Sequence, residues 1–120
     1  MTKSYKDLFV WQKAYKLSLL VYEKTVKFPR SETYSLTQQV RRSAISIPSN
    51  IAEGYYRGSK KEYINFLHIA YGSGAELETQ VLIARDLRYL EADDFDAITS
   101  LLSEVMKMLN TLIAKIKSGS

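Results

Sequence analysis

Few residues in this 120-residue chain combine the types and spacing that chemistry needs, and most of those are cations. Lys13, Lys16, Lys24 and Lys27 fall within an arc of about 80° when the segment is wound as a helix. A lysine row of that kind either solvates an outer face or tracks successive phosphates. Leu20 interrupts the row and points toward contact with another subunit. A catalytic set does not assemble. Ser46 and Ser49 have no nearby histidine, Glu53 has no partner acid, and His68 is the only histidine. No Cys, second His or spaced acid pair accompanies His68, and position 65 is Asn, not the Glu that a Glu-x-x-His metal motif requires. The expectation is a non-enzyme with no metal and no cofactor.

The elements that must position these groups are helical. Apolar residues make up 46% of the chain, with two prolines and five glycines, which argues for one globular helical domain over residues 1–120. Without cysteine there is no disulfide framework or thiol chemistry. The first residues are polar, with no signal-peptide core, and no uninterrupted apolar run approaches the roughly 20 residues that span a bilayer. The expected compartment is the cytoplasm, with no membrane contact. Net charge is +4, and residues 1–30 alone hold seven Lys/Arg against two Asp/Glu. The excess therefore belongs to the first helix.

Periodicity predicts four helices, at about 8–27, 32–56, 60–90 and 94–117. Val10, Ala14, Leu17 and Val21 centre the buried face of the first, with Trp11 as an anchor at its edge. Ser31 is the expected cap of the second, with Glu32 in its first turn. Its face of Val40, Ala44, Ile47 and Ile51 continues past Pro48, so a kinked helix is expected, not a stop. Ser46, Ser49 and Asn50 are the small polar groups suited to the freed Ala44 carbonyl, while Glu53 can pair with Arg57. Ile45 lies between Arg41 and Arg42 in projection, an arrangement that suits an assembly surface.

Ser59 and Glu62 form a capping-box pattern at the start of the third helix. That helix has a main apolar stripe and a second one, Ile64, Tyr71, Leu82 and Tyr89, displaced by about 100°. Gly72, Ser73 and Gly74 within it permit close approach of another helix. Asp93 or Asp94 is the expected cap of the fourth. Short connections make the fold all-α, an antiparallel up-and-down four-helix bundle.

The run Ser46-Ile47-Pro48-Ser49-Asn50-Ile51-Ala52-Glu53-Gly54, preceded by Gln39-Val40-Arg41-Arg42-Ser43-Ala44, resembles the signature of the S23, or 23S rRNA-intervening-sequence, protein family. Four flanking blocks extend the likeness: Asp7 to Ala14, Phe28-Pro29, Ala70 to Ser73, and Ala75 to Glu78. On that resemblance Ser46, Pro48, Ser49, Asn50, Glu53 and Gly54 form a structural motif. A similar protein, the accessory variability determinant of diversity-generating retroelements, looks like a pentameric barrel with a basic surface that engages nucleic acid and a reverse transcriptase. The resemblance thus implies a homopentamer. It also implies Lys13, Arg41, Arg42 and Arg57 as contacts to RNA or DNA, to which helical projection adds Lys16, Lys24 and Lys27.

Two functions follow as expectations. The first is an oligomeric bundle that binds nucleic acid through its basic surface. The second is a self-assembling scaffold that binds a protein partner. Apolar surface beyond a monomer's needs supports assembly, through Leu20, Ile45, Ile64, Tyr71, Leu82 and Tyr89. Nine tyrosines fit such surfaces, because a tyrosine buries area while keeping a polar tip.

Overall fold

The computed structural model describes residues 3–119. Four long helices form in order, α1 (Phe9–Thr25), α2 (Leu36–Tyr56), α3 (Lys60–Asp86) and α4 (Ala92–Ser118), with single 3-10 turns at Tyr5–Asp7 and Arg30–Glu32. Among the described residues there is no strand. Each helix packs antiparallel on its neighbours: α1 and α3 both contact α2 and α4, while the diagonal pairs do not touch. The result is an up-and-down four-helix bundle of 48 × 24 × 21 Å.

All four apolar stripes meet in one core. Ala14, Leu17, Val21, Val40, Ala44, Ile47, Ile51, Leu67, Leu77, Val81, Ile98, Val105 and Leu109 are wholly inaccessible. By length and apolarity α4 would suffice to cross a bilayer. Here its apolar face, Ile98 through Ile113, is the core's fourth wall.

Glycine sets the closest contacts. A methyl group on Gly54 would lie 2.8 Å from Phe66 Cβ, and one on Gly74 would lie 2.3 Å from Met106 Sδ. Gly54 lets α2 approach α3 more closely than any larger side chain allows, and Gly74 leaves room for the Met106 thioether of α4.

Several helix ends depart from the sequence-based expectation. Ser31 caps nothing; it sits inside the 3-10 turn, and α2 begins only at Leu36. Glu32 Oε1 accepts the Leu36 N–H at 3.3 Å, so the capping group comes from the residue after Ser31. At α4 the residue before the helix is Glu91, and Asp94 lies buried in the first turn with its carboxylate turned to α1. The third helix ends at Asp86, four residues early. Arg88 takes φ 66°, Tyr89 N–H donates to Ala84 O at 2.8 Å, and Arg88 N–H donates to Arg85 O at 2.9 Å. That is a helix-ending motif usually built on glycine, made here by arginine, and so invisible to a search for glycine stops.

Candidate functional site

The signature run forms the middle of α2, where Pro48 is buried inside an unbroken helix. The Ala44 carbonyl left without its intrahelical donor is taken by Ser18 of α1, whose hydroxyl donates to it at 2.9 Å. The sequence pattern pointed to Ser46, Ser49 and Asn50 for this role. Ser46 and Asn50 do something else, and Ser49 is exposed on the groove described below. Asn50 donates to the Ser46 carbonyl at 2.8 Å and to its hydroxyl at 2.9 Å, and Ser46 Oγ lies 2.7 Å from Ser73 Oγ of α3. The motif is thus a polar seam that joins three helices. Glu53 pairs with Arg57 at 3.1 Å, as spacing implied, and the Arg57 guanidinium lies over the Phe66 ring.

The lysine row on α1 is mostly occupied. Lys13 pairs with Glu104 at 3.1 Å. Lys24 and Lys27 converge on Asp94, at 3.1 and 3.0 Å. Hydrogen bonds from Lys27 and then Lys24 hold the Asp94 carboxyl below its ordinary range, while Asp94 and Glu23 hold the Lys24 ammonium above its own. Three of the four lysines therefore hold α1 to α4 or to a neighbouring acid, and only Lys16 meets no carboxylate among the described residues. Arg41 donates from Nε to Thr25 Oγ1 at 2.8 Å, with its guanidinium 4.6 Å from the Tyr22 ring centroid. Arg42 is exposed and forms no ion pair among the described residues.

The expected assembly residues divide in the same way. Leu20, Ile64, Tyr71 and Tyr89 pack against the chain's own core. Tyr71 Oη accepts from Asn110 Nδ2 at 3.3 Å, and Tyr89 donates to Glu32 Oε2 at 3.1 Å. Ile45 and Leu82 remain exposed, at 42% and 37%.

What sequence reasoning missed is an apolar face beside Ile45. Tyr15, Leu19, Tyr22 and Val26 form a stripe along α1 with exposures of 40% to 73%. Tyr15, Leu19 and Tyr22 of this stripe, with Tyr5, Trp11, Ile45 and Pro48, line a groove of about 460 Å³ between α1 and α2, floored by Ser18 and Ala52. It runs on into a second concavity of about 530 Å³ between Tyr22, Tyr34, Arg41 and Arg42. Trp11 stacks on Tyr15 at 5.1 Å and stiffens the wall. A steps-of-three-and-four count along residues 15, 19, 22 and 26 could have found this stripe. A second uncovered row, Ile69, Ile83 and Leu87, lies on the outer side of α3. Among the described residues no cluster of His, Cys, Asp or Glu could hold a metal ion.

The fold recurs in the crystal structure of a protein of unknown function from the S23 ribosomal protein family of Bacteroides thetaiotaomicron VPI-5482. The two share 24% identity and superpose with a TM-score of 0.78, over 87% of this chain and 97% of that one. Among curated proteins none matches the sequence. The model of the 23S rRNA-intervening sequence protein family matches residues 6–111, which include the whole polar seam and both walls of the groove. On that match the chain belongs to the 23S rRNA-intervening sequence protein family.

Proposed function

We propose that the protein is a non-catalytic, self-assembling bundle in which the outer face of α3 from one copy seats in the α1–α2 groove of the next. The observation that carries this reading is complementarity between the two uncovered faces. Both are exposed and apolar: one is walled by α1 and α2, and the other lies on α3, which packs on α2. Among the described residues, Arg42 at the end of the α1–α2 groove meets no carboxylate, and Glu76 on α3 meets no cation. Exposed apolar side chains mark an interaction site, with Ile83 and Leu87 one turn apart and Ile69 about 20 Å away along α3. Two different faces on one chain make a head-to-tail contact, which closes into a ring when its rotation allows. That agrees with the homopentamer implied by the family resemblance.

The test is molar mass by light scattering during gel filtration. A wild-type mass several times the 13.8 kDa of the chain is expected, five times for a pentamer. Leu19→Glu and Ile83→Glu should each reduce it to the monomer. Arg42→Glu should weaken assembly, and adding Glu76→Arg in the same chain should restore it. A wild-type monomer at tens of micromolar, or no rescue by the charge exchange, rejects this contact.

Nucleic-acid binding is the second reading. It is favoured by lysines that meet no carboxylate among the described residues; apart from Lys16 on α1, these gather toward one end of the bundle. A scaffold for a different protein would use the same groove and compete with assembly.

A further inference from the structure

The antiparallel order brings the start of α1, the start of α3 and the end of α4 to one end of the molecule. Residues 3–9, 53–62 and 107–119 hold eight Lys/Arg against three Asp/Glu there. All three acids are engaged: Glu53 and Glu62 with Arg57, and Asp7 with the Lys3 backbone N–H. Lys60, Lys61, Lys107, Lys115 and Lys117 pair with no carboxylate among the described residues.

These five lysines line two clefts, one on each side of α4. On the α3 side Lys60, Lys61 and Lys117 surround Asn65 in a concavity of about 450 Å³. On the α1 side Lys107 and Lys115 flank a cleft of about 290 Å³ whose wall is Phe9. Neither lining contains a carboxylate. Lys107 and Lys115 are eight residues apart, about 12 Å along the helix. Phe9 is 72% exposed, an aromatic face open to solvent in the cleft that Lys107 and Lys115 also line.

We propose that this end of the bundle docks single-stranded nucleic acid, with the five lysines taking phosphates and Phe9 taking the face of a base. Cations on both sides of a helical ridge suit a chain that repeats its charge, and an aromatic plane beside them suits an unpaired base. A membrane surface would need a broad exposed apolar rim, whereas Leu8, Met108 and Leu112 of this cleft are half-buried and Phe9 and Tyr56 are the large apolar side chains exposed at this end. The site does not rest on self-assembly, since every group in it belongs to one chain.

The test is anisotropy of a labelled single-stranded RNA, the same-sequence DNA and its duplex, across a salt series, with molar mass measured on the same samples. Wild-type affinity for both single strands should fall steeply with salt. Replacing all five lysines by Gln should flatten the log–log slope, by about 0.7 for each phosphate no longer neutralised. Phe9→Ala should leave the slope unchanged and weaken single-strand binding by about 5- to 150-fold, the effect of removing one stacked base. Equal affinity for RNA and DNA supports a shared phosphodiester contact, and preference for RNA adds a 2′-hydroxyl contact. Wild-type binding by the five-lysine variant overturns the proposal. So does tighter binding of the duplex, or binding of anionic phosphatidylserine vesicles that oligonucleotide fails to displace. A monomer that still binds oligonucleotide rejects the assembly contact and leaves this one standing.

Discussion

Ser18 does for α2 what α2 cannot do for itself. Pro48 removes the N–H that would close on the Ala44 carbonyl, and the Ser18 hydroxyl arrives from α1 in its place while also donating to its own Ala14 carbonyl at 3.2 Å. Ser18→Ala leaves a buried carbonyl without a partner and should cost about 1–3 kcal/mol in urea unfolding. Pro48→Ala returns the missing donor. In that background Ser18→Ala should cost less, by at least about 0.5 kcal/mol, because the two residues serve one acceptor. Strict additivity would show that they act independently. The sequence disclosed the need for such a group but not its source. Ser46, Ser49 and Asn50 are small polar residues within two turns of Ala44, whereas Ser18 lies 26 positions from Ala44 and meets it only when two helices pack.

Helices read better than their ends. Each apolar stripe expected from spacing is a wall of the core, because a three-to-four-residue period survives whatever the ends do. The ends depend on single hydrogen bonds to distant residues, as with Glu32 at α2 or Arg88 after α3. The same limit explains the lysine row: projection located Lys13, Lys24 and Lys27 on one side of α1, but not the acids of α4 opposite them. Those acids make a junction that can be tested by pH. Asp94 titrates below its ordinary range when folded, so its contribution is full above the unfolded carboxylate value of about 3.9 and is lost as pH falls through the folded value. Lys24 titrates above its ordinary range, so its contribution is full below the unfolded lysine value of about 10.4 and is lost as pH rises from there through the raised folded value. Asp94→Asn should therefore lower the urea midpoint by a constant amount between about pH 5 and 9, with the difference from wild type shrinking as pH falls below about 4. A difference that persists unchanged into acid would mean that packing, not charge, accounts for Asp94.

At the scale of the molecule, the family resemblance and the bundle were both legible in the chain, while the surfaces were only half legible. Of the six residues expected at an interface, Leu20, Ile64, Tyr71 and Tyr89 are half-buried against the chain's own core, as side chains on helices with two neighbours are, and Ile45 and Leu82 are exposed. The groove beside Ile45 depends on how α1 leans on α2, which no single helix discloses. The two ends differ more than either flank. Opposite the lysine end, residues 23–32 and 85–96 carry seven Asp/Glu against five Lys/Arg. The molecule is 48 Å long with opposite signs at its tips, so it has a lengthwise electric moment. Ionic screening reaches about 10 Å at 0.1 M salt and about 30 Å at 0.01 M. In dilute buffer the tips of neighbouring particles come within range of each other, and particles should string together, positive tip to negative tip. Light scattering should report a hydrodynamic size that grows as salt is removed, and oligonucleotide should shrink it again by covering the positive tip. A size indifferent to salt would mean that the two tips do not act on each other in solution.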